Sequence, residues 1–443
     1  MILTPFVLAL AAALADSPAA VREPLSLDTA LARATAHNPE LRALRERASA
    51  SATRAQATQK QKLPRFGAEV SAQRTDNPAA VFAHKLNAGQ FTSQDFDIAR
   101  LNSPGAISHL GSSLFVEAPI DLFGRISLAS EAQAAGQKAL SENVREAEAT
   151  IALQVTEAYL GAILARKAAL TTEKAVAAVR SREAITEARF AEGVALQSDV
   201  LRVRARRRAR EADLASQHAE LEVAEAMLAR LIGAPDGLRF DLTDTAKPAS
   251  NIEPLDTWKA RAAVARPTLL AAQGQRDAAA LNVRFEEKGS RPEFAAQARL
   301  MDDRTSDGGA QSWAVGAVLR WNFYDATRGK RVAAALADER ATVEDERAAR
   351  DRVRYEVEAA FSRLAAAKDR LAAAQGGAEE GREALRVIQE RRAQGLATLT
   401  DELETEAAAF AAELEEIGAA RSAVLAEAAL KRAAGMNPGS TMQ

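Results

Sequence analysis

The sequence lacks cysteine altogether, and this absence excludes several kinds of site at once. Without a thiol, the chain has no disulfide, no thiolate metal ligand, no cysteine nucleophile and no cysteine for N-terminal lipidation. Aromatic residues are also scarce, at 5% of 443 residues. So few large rings in a chain of this length favour long helices packed closely through small side chains over a thick globular core.

Net charge and catalytic motifs are missing too. The 58 basic and 60 acidic residues leave a net charge of -2, so no global field draws the chain to nucleic acid. The sequence has no phosphate-binding glycine loop, dinucleotide fingerprint, nucleophile elbow or paired-histidine zinc motif. His84 and His109 share one predicted loop, but two histidines do not make a metal site, and we expect both to be solvated. The sequence therefore predicts no enzyme, no cofactor and no metal site.

Long hydrophobic runs are absent after the N-terminus. Residues 3–15 are apolar and end in Ala13-Leu14-Ala15, a pattern that predicts a secretory signal peptide over residues 1–15. No other apolar run approaches the ~20 residues that a membrane-spanning helix needs. If the exported chain crosses a membrane, we expect it to do so with β-strands.

What the sequence does contain is a long internal repeat. Two prolines 25 residues apart occur early in each half, and a glycine, an aspartate and a second glycine recur later at intervals of 6 and 40 residues. The offset between the halves falls from 228 to 202, so one copy holds about 26 residues that the other lacks. The repeated residues are Pro39, Pro64, Gly193, Asp199 and Gly233, then Pro267, Pro292, Gly395, Asp401 and Gly435.

This spacing predicts the domain organisation of the chain. We expect a first repeat at residues 16–235 and a second repeat at residues 266–435, joined by an irregular crossover linker at residues 236–265. A C-terminal tail follows at residues 436–443.

Each copy predicts two β-strands, because apolar and polar residues alternate along them. The extra residues of the first copy fall between its two strands, in a loop over residues 75–112 that is too apolar for simple disorder. The predicted strands cover residues 66–73, 114–121, 294–300 and 313–323.

Long helices account for most of the remaining chain. The proline-free stretches 127–192 and 327–394 would each extend ~100 Å as helices, at about 1.5 Å per residue. Each ends at a glycine break, after which a shorter helix returns. Apolar residues recur at intervals of four and three, which indicates a coiled-coil seam. The seam residues are Ile151, Val155, Ala158, Ala162, Ala165 and Ala169, then Val353, Val357, Ala360, Leu364, Ala367 and Leu371.

The four strands have the length and alternation of strands in an outer-membrane barrel. Trp313 and Trp321 would lie ~26 Å apart along one strand, which places one indole ring near each membrane interface. Four strands cannot close a barrel alone, so their edges need strands from other subunits. The residues thus predict a symmetric ring of several chains, without fixing their number.

Several short motifs accompany the repeat: Asn38-Pro39-Glu40-Leu41, Leu63-Pro64, PIDLFGR at residues 119–125, Tyr159, and RFAEGVALQSDVL at residues 189–201. Together with the two-copy spacing, they resemble the TolC family of outer-membrane efflux proteins. The resemblance implies a mainly α fold with a small β part, in which long antiparallel coiled-coil helices form two tandem structural repeats. Each repeat would donate a β-hairpin to a trimeric 12-stranded outer-membrane barrel, with the helical tunnel in the periplasm.

The same resemblance implies the partners of the chain. It predicts a homotrimer in outer-membrane lipid, a periplasmic adaptor (membrane fusion) protein, and an inner-membrane pump of the resistance-nodulation-division or ABC type. The chain lacks the aromatic residue that often precedes the tip glycine in this family, since Arg392-Ala393-Gln394 stands before Gly395.

The two glycine breaks are the candidate adaptor-docking tips. Small and apolar residues at a free hairpin end need another protein to bury them, and an aspartate follows in each returning helix. The alternative is a plain turn, in which the glycine supplies a positive φ and Ser198 or Thr400 caps the next helix. The candidate residues are Gly193, Val194, Leu196 and Asp199, then Gly395, Leu396, Leu399 and Asp401.

Two further groups of charges are candidates for function. Glu380 and Glu383 lie one helical turn apart, where members of the resembled family carry acidic gating residues; the alternative is a solvated face balanced by Arg382 and Arg386. A basic run follows the first tip and could meet an acidic adaptor, or its arginines could pair with nearby glutamates. The run comprises Arg202, Arg204, Arg206, Arg207, Arg208 and Arg210.

These features predict a passive exit duct in the outer membrane, which lets small toxic solutes leave through a tunnel driven by a separate pump. A related alternative is the exit duct of a type I protein secretion system. An alternative of a different class is a periplasmic coiled-coil scaffold without a pore.

Overall fold

The computed structural model describes residues 22–235, 238–243 and 252–438. The predicted signal peptide at residues 1–15 lies outside the described residues, as does the end of the predicted tail. The helices are α1 (Leu27–His37), α2 (Pro39–Lys60), α3 (Pro78–Asn87), α4 (Ile98–Asn102), α5 (Arg125–Ala191), α6 (Gln197–Ile232), α7 (Leu255–Ala265), α8 (Pro267–Glu287), α9 (Arg328–Ala393) and α10 (Leu399–Ala433). The strands are β1 (Arg22–Leu25), β2 (Arg65–Thr75), β3 (Ile107–Ile120), β4 (Arg239–Leu242), β5 (Glu293–Thr305) and β6 (Gly308–Arg320).

The internal repeat is visible in the order of these elements. An offset of 228 residues relates α1 to α7 and the start of α2 to the start of α8, and an offset of 202 relates the ends of α5 and α9. Because α7 is the counterpart of α1, the second copy is better started at Leu255 than at residue 266. The sequence pattern did not identify α7 as the counterpart of α1.

Three details of the predicted elements were wrong. The crossover at residues 236–265 is not irregular in its described part, since it contains β4 and α7; Pro254 precedes the first turn of α7, where proline is compatible with a helix. The loop predicted to end at residue 112 ends earlier, because β3 begins at Ile107. The last strand ends at Arg320, so Trp321 follows the strand instead of belonging to it.

The described residues divide into two compact units, one within residues 1–47, 141–271 and 347–443 and the other within residues 48–140 and 272–346. The first unit contains two hydrophobic clusters, which are built from equivalent helices of the two copies. In one, α1 packs with α5, the end of α6 and β4; in the other, α7 packs with α9 and the end of α10. All six predicted seam residues of α5 are buried, and so are the first four of α9. The seam prediction is therefore confirmed over both clusters.

Buried hydrogen bonds connect the elements of each cluster in the first unit. The Tyr159 hydroxyl donates a hydrogen bond of 2.9 Å to the carbonyl of Leu25 in β1, which pairs in parallel with β4. At the end of α1, the Asn38 amide donates to the carbonyl of Leu231 in α6 at 3.0 Å. The equivalent position after α7 is Arg266, whose guanidinium donates to the carbonyl of Arg432 in α10.

Arg266 differs from Asn38 because it brings a charge into the interior. Its side chain is 2% exposed and pairs with Glu146 and Glu356, each at 3.1 Å, while Arg432 also pairs with Glu146 at 2.5 Å. Burial lowers the pKa of Arg266, and the two carboxylates act in the opposite direction. This network joins α5, α9 and α10, so the second copy has an ionic clamp where the first has an amide.

The second unit contains a four-stranded antiparallel sheet in the order β2-β3-β5-β6. Its register places Ala68, Leu114, Leu300 and Trp313 in one row across all four strands. This face of the sheet is apolar and exposed, and Trp313 is 76% exposed. The opposite face is polar, with the Arg299 guanidinium 3.2 Å from the Glu69 carboxylate and stacked over Phe115. The predicted alternation is therefore confirmed.

The long connection between β2 and β3 is folded. Helices α3 and α4 lie within it, on either side of a 3-10 turn at Ser93–Phe96. Phe91 contacts Phe82 and Phe96 edge to face, with ring centroids 4.5 and 5.1 Å apart. The equivalent connection in the second copy, between Thr305 and Gly308, has two residues. The inserted residues of the first copy thus form a small cluster of their own.

None of the helices in the described ranges is both long enough and apolar enough to cross a membrane.

The returning helices α6 and α10 are each followed within two residues by a glycine, Gly233 or Gly435, that contacts the end of the short helix of the same copy. A β-carbon on Gly435 would lie 2.6 Å from the carbonyl carbon of Ala265, and its φ of +77° disfavours other residues. We therefore expect Gly435→Ala to destabilise the protein by about 2 kcal/mol or more. Loss of helical circular dichroism on heating the purified protein would measure the change.

Gly418→Ala, also in α10, is the matched control for this substitution. Nothing lies within 4 Å of a β-carbon at this position, and alanine raises helix propensity by about 1 kcal/mol. A melting temperature for Gly435→Ala as high as that of Gly418→Ala would contradict the contact.

Candidate functional site

The candidate tips are two glycine turns with the same geometry. Gly193 has a φ of 76° and Gly395 a φ of 75°, which a residue with a side chain rarely adopts. The N–H of Val194 donates to the carbonyl of Arg189, and that of Leu396 to Arg391, each at 2.9 Å. These bonds satisfy the last carbonyls of α5 and α9, so the glycine ends each long helix and lets the chain reverse.

Apolar side chains project from both turns. Val194, Leu196 and Leu396 are 75%, 69% and 72% exposed, whereas Leu399 is half-buried at the start of α10. The structure therefore places three of the four predicted apolar tip residues on the surface. No described residue covers them in the single chain.

Asp401 and Asp199 act locally in the first turns of the returning helices. The Asp401 carboxylate accepts hydrogen bonds from the Thr398 hydroxyl at 2.7 Å and backbone N–H at 2.9 Å, and these bonds lower its pKa. Asp199 accepts from the N–H of Leu196 at 3.4 Å. The predicted caps Ser198 and Thr400 were wrong, since α6 begins after Leu196 and α10 after Thr398.

A buried carboxylate behind the tips joins the two hairpins, and no sequence pattern predicted it. Glu402 of α10 is 5% exposed and pairs with Arg182 of α5 at 2.5 Å and with Arg392 of α9. Arg182 also reaches Glu406 at 2.7 Å. Three helices are thus tied through one carboxylate, close to the exposed tips.

The basic run on α6 is largely paired. Arg204 contacts Glu187 at 2.6 Å, and Arg207 contacts Glu183 at 2.6 Å. Arg210 lies over the Phe410 ring of α10, 4.4 Å from its centroid. These contacts favour the structural alternative for most of the run.

The candidate gate residues are both exposed on α9. Glu383 pairs with Arg386 at 2.6 Å, which lowers the pKa of Glu383, while Glu380 has no hydrogen-bond or ion-pair partner in the described ranges. Within the single chain, the balanced-face alternative holds for Glu383. A gating role for either residue stays a prediction.

The predicted membrane anchors differ in their surroundings. Trp313 stands on the apolar face of β6, whereas the Trp321 indole N–H donates to the carbonyl of Ser290 at 3.0 Å. Trp321 is nevertheless 55% exposed and packs edge to face with Phe323. Both indole rings are therefore largely exposed at the surface of the single chain.

The two loop histidines are not solvated as predicted. His109 belongs to β3 and is buried, and its ring stacks on that of His84 from α3, with centroids 3.8 Å apart. The error follows from the strand boundary, because β3 begins five residues before the predicted end of the loop. Over the described ranges, no cluster of three or more potential ligands could hold a metal ion.

Replacing Glu402 tests the carboxylate that ties the hairpins. We expect Glu402→Gln to lower the free energy of local opening near the tips by about 3 kcal/mol, because Arg182 and Arg392 lose their shared charge. Hydrogen exchange of residues 395–406 in the purified protein would measure it. The matched control Glu404→Gln alters an exposed side chain in the same helix. Equal exchange in the two variants would contradict this role.

Comparisons with known proteins agree with the architecture. Residues 30–234 and 258–436 match the family model described as outer membrane efflux protein. No curated protein matches the chain significantly.

Solved structures share the fold at low sequence identity. A membrane protein from Pseudomonas aeruginosa has a TM-score of 0.78 and 20% identity, covering 92% of this chain and 93% of its own. VceC from Vibrio cholerae has a TM-score of 0.74 and 18% identity, with coverage of 93% and 96%. The open state of MtrE from Neisseria gonorrhoeae has a TM-score of 0.71 and 19% identity, with coverage of 93% and 89%. Because the family model matches most of its residues, the chain belongs to the outer membrane efflux protein family.

Proposed function

We propose that this outer-membrane efflux channel is the passive exit duct for small toxic solutes, such as drugs or metals. Its family consists of transport channels, which are homotrimers and work with an adaptor and an inner-membrane pump. In our proposal the pump is of the resistance-nodulation-division or ABC type, and the adaptor is a membrane fusion protein. The observation that carries the proposal is the apolar, exposed face of the sheet together with the exposed apolar tips.

The sheet supports insertion into lipid as part of a larger ring. One face carries apolar side chains, and Phe66 and Val315 are 82% and 73% exposed there. Strands β2 and β6 are the edges of the sheet and pair with one neighbour each. Lipid cannot hydrogen-bond open strand edges, so sister copies must complete them. Three copies of four strands would give the 12-stranded barrel that the resemblance implies.

The tips support docking of the adaptor. Val194, Leu196 and Leu396 expose apolar surface on rigid turns, and burying this surface against another protein would favour binding. Gly193 and Gly395 fix the direction of these side chains, while Asp199 and Asp401 serve the helix starts. We therefore assign the apolar residues to contact and the aspartates to support.

The proposed mechanism is a shift between closed and open tips. An adaptor that binds the open arrangement more tightly would increase its population without any chemical step. The Glu402 pairs with Arg182 and Arg392 would then be weakened or exchanged on opening. Glu380 and Glu383 are proposed to face the narrow part of the tunnel, where acidic side chains would favour cations.

Export of proteins by a type I secretion system remains the alternative within the same family. A neighbouring gene for an ABC exporter would favour it, and a proton-driven pump would favour drugs or metals. The exposed apolar face of the sheet argues against a scaffold in the soluble periplasm, because water would contact that face.

Adjacent residues of β5 test the membrane role of the sheet. Ala298 lies on the apolar face between Val116 and Val315, and Gln297 lies on the polar face. We expect Ala298→Arg to reduce the amount of trimer in the outer membrane, because a charge facing lipid costs about 2–4 kcal/mol near the midplane. Gln297→Arg is the control and should assemble normally. Equal recovery of both variants in outer-membrane fractions would contradict the assignment of faces.

Charged substitutions test the docking tips. Val194→Asp combined with Leu396→Asp should abolish solute tolerance and adaptor co-purification while leaving the trimer intact, because buried carboxylates at the contact would be unpaired. Gln197→Asp combined with Gln394→Asp adds the same charge at exposed polar positions beside the tips and should retain activity. Unchanged tolerance in the first double variant would count against docking through these residues.

A further inference from the structure

We infer that the folded connection between β2 and β3 docks on the polar face of the sheet through a histidine pair, and that acid releases it. His84 of α3 stacks on His109 of β3 with ring centroids 3.8 Å apart and an angle of 16° between the planes. The His109 ring also contacts the Asp303 carboxylate of β5 at 2.8 Å. These three side chains join the connection to two strands.

The contact lies on the polar face. His109 alternates with Leu110 along β3, and Asp303 is paired with Gly111, so both point away from the apolar row. Helix α3 therefore lies over the face that carries Glu69 and Arg299. In the channel proposed above this face lines the pore, so the docked connection would narrow its outer end; this consequence rests on the proposed function, whereas the docking does not.

Among the described residues, the other polar links between the connection and the sheet are few and uncharged. Gln90, just after α3, accepts a hydrogen bond from the Thr305 hydroxyl through its side-chain oxygen. The Gln90 side-chain nitrogen is buried without a hydrogen-bond partner. These contacts add little polar attachment beyond the histidines. A change of charge at the histidines can therefore shift the equilibrium between the docked and released connection.

One carboxylate faces two imidazole rings. Asp303 compensates a single imidazolium, and a second positive charge on the stacked ring has no carboxylate of its own. The other charges nearby are paired elsewhere: Lys85 of α3 contacts Asp95 at 2.8 Å, and Arg304 contacts Asp302 at 2.7 Å. Strand β6 carries no titratable residue before Arg320. Protonation of His84 beside the His109 ring therefore opposes docking.

The direction of the pH effect follows from His84. Burial and the neighbouring His109 lower its pKa below the ordinary value of 6.5, while Asp303 acts in the opposite direction. A lowered pKa means that the docked form binds fewer protons than the released form. Docking is therefore strongest above pH 6.5 and weakens as the pH falls below that value toward the lowered pKa.

The connection itself keeps its internal structure as the pH falls below 6.5. Hydrogen bonds from Lys85 and Thr92 hold the pKa of Asp95 far below its ordinary value, so the Lys85–Asp95 pair stays charged in mild acid. The contacts of Phe91 with Phe82 and Phe96 do not titrate. Acid thus acts on the docking contact, and the ten-residue helix α3 loses its support from the sheet.

Hydrogen exchange of residues 78–90 in the purified full-length protein tests the inference. Each variant is compared with the wild type at pH 7.5 and again at pH 5.5, so that the intrinsic effect of pH cancels. We expect His84→Gln to be less protected than the wild type already at pH 7.5, because the variant lacks the stacked ring. Between pH 7.5 and pH 5.5 the wild type should lose protection by roughly threefold or more beyond the loss in His84→Gln, because a short helix without tertiary support is marginal in water.

Two further variants separate the histidine pair from general effects. His218→Gln removes a histidine that pairs with Glu173 outside the connection, and should behave as the wild type at both pH values. Asp303→Asn should lose more protection than the wild type between pH 7.5 and 5.5, because the carboxylate that favours a charged His84 is then absent. Equal wild-type protection at both pH values, an equal acid loss in His84→Gln, or wild-type behaviour of Asp303→Asn would overturn the inference. None of these readouts requires an open pore, so failure of the proposed duct would leave them unaffected.

Discussion

A single chain cannot satisfy the surfaces of its own sheet, and most other features follow from that constraint. Strands β2 and β6 keep unpaired edges, and the row from Ala68 to Trp313 exposes apolar side chains on one face. Water tolerates neither a broad apolar face nor long open edges well. Lipid tolerates the face but not the edges. Only association with further strands in a membrane resolves both problems, which agrees with the family to which the chain belongs.

The internal repeat supplies two hairpins per chain, and the two copies share a plan but differ in individual side chains. The clusters around α1 and α7 keep the same plan, and Gly233 and Gly435 both contact the end of the preceding short helix. Asn38 and Arg266 occupy equivalent positions, yet one forms an amide link and the other a buried ionic network. Backbone contacts were therefore retained more closely than the side chains around them.

The sequence was most informative where a physical period runs through many residues. The seam of α5 and the alternation in β2 and β5 each repeat a simple pattern, and the bounds of these elements were predicted within a few residues. Single-residue features were missed. Trp321 continues the alternation of β6 although pairing stops at Arg320, and β1 and β4 have four residues each, too few to show a pattern. The number of subunits came from the family resemblance and not from any period.

The candidate site divides in the same way. A glycine turn with apolar neighbours can be identified in the sequence itself. The repeated glycine spacing therefore located Gly193, Val194, Gly395 and Leu396. The Glu402 network and the stacking of His84 on His109 depend on which helices and strands become neighbours, and residues that meet across long separations in sequence leave no local signal.

The two hairpins of the sheet close on equivalent strand ends. Residues 76–106 connect Thr75 to Ile107, where the second copy needs only Ser306 and Asp307 between Thr305 and Gly308. The first connection is thus a cassette fixed at two adjacent anchor points, and a foreign peptide or tag could be exchanged for it without altering the strand register.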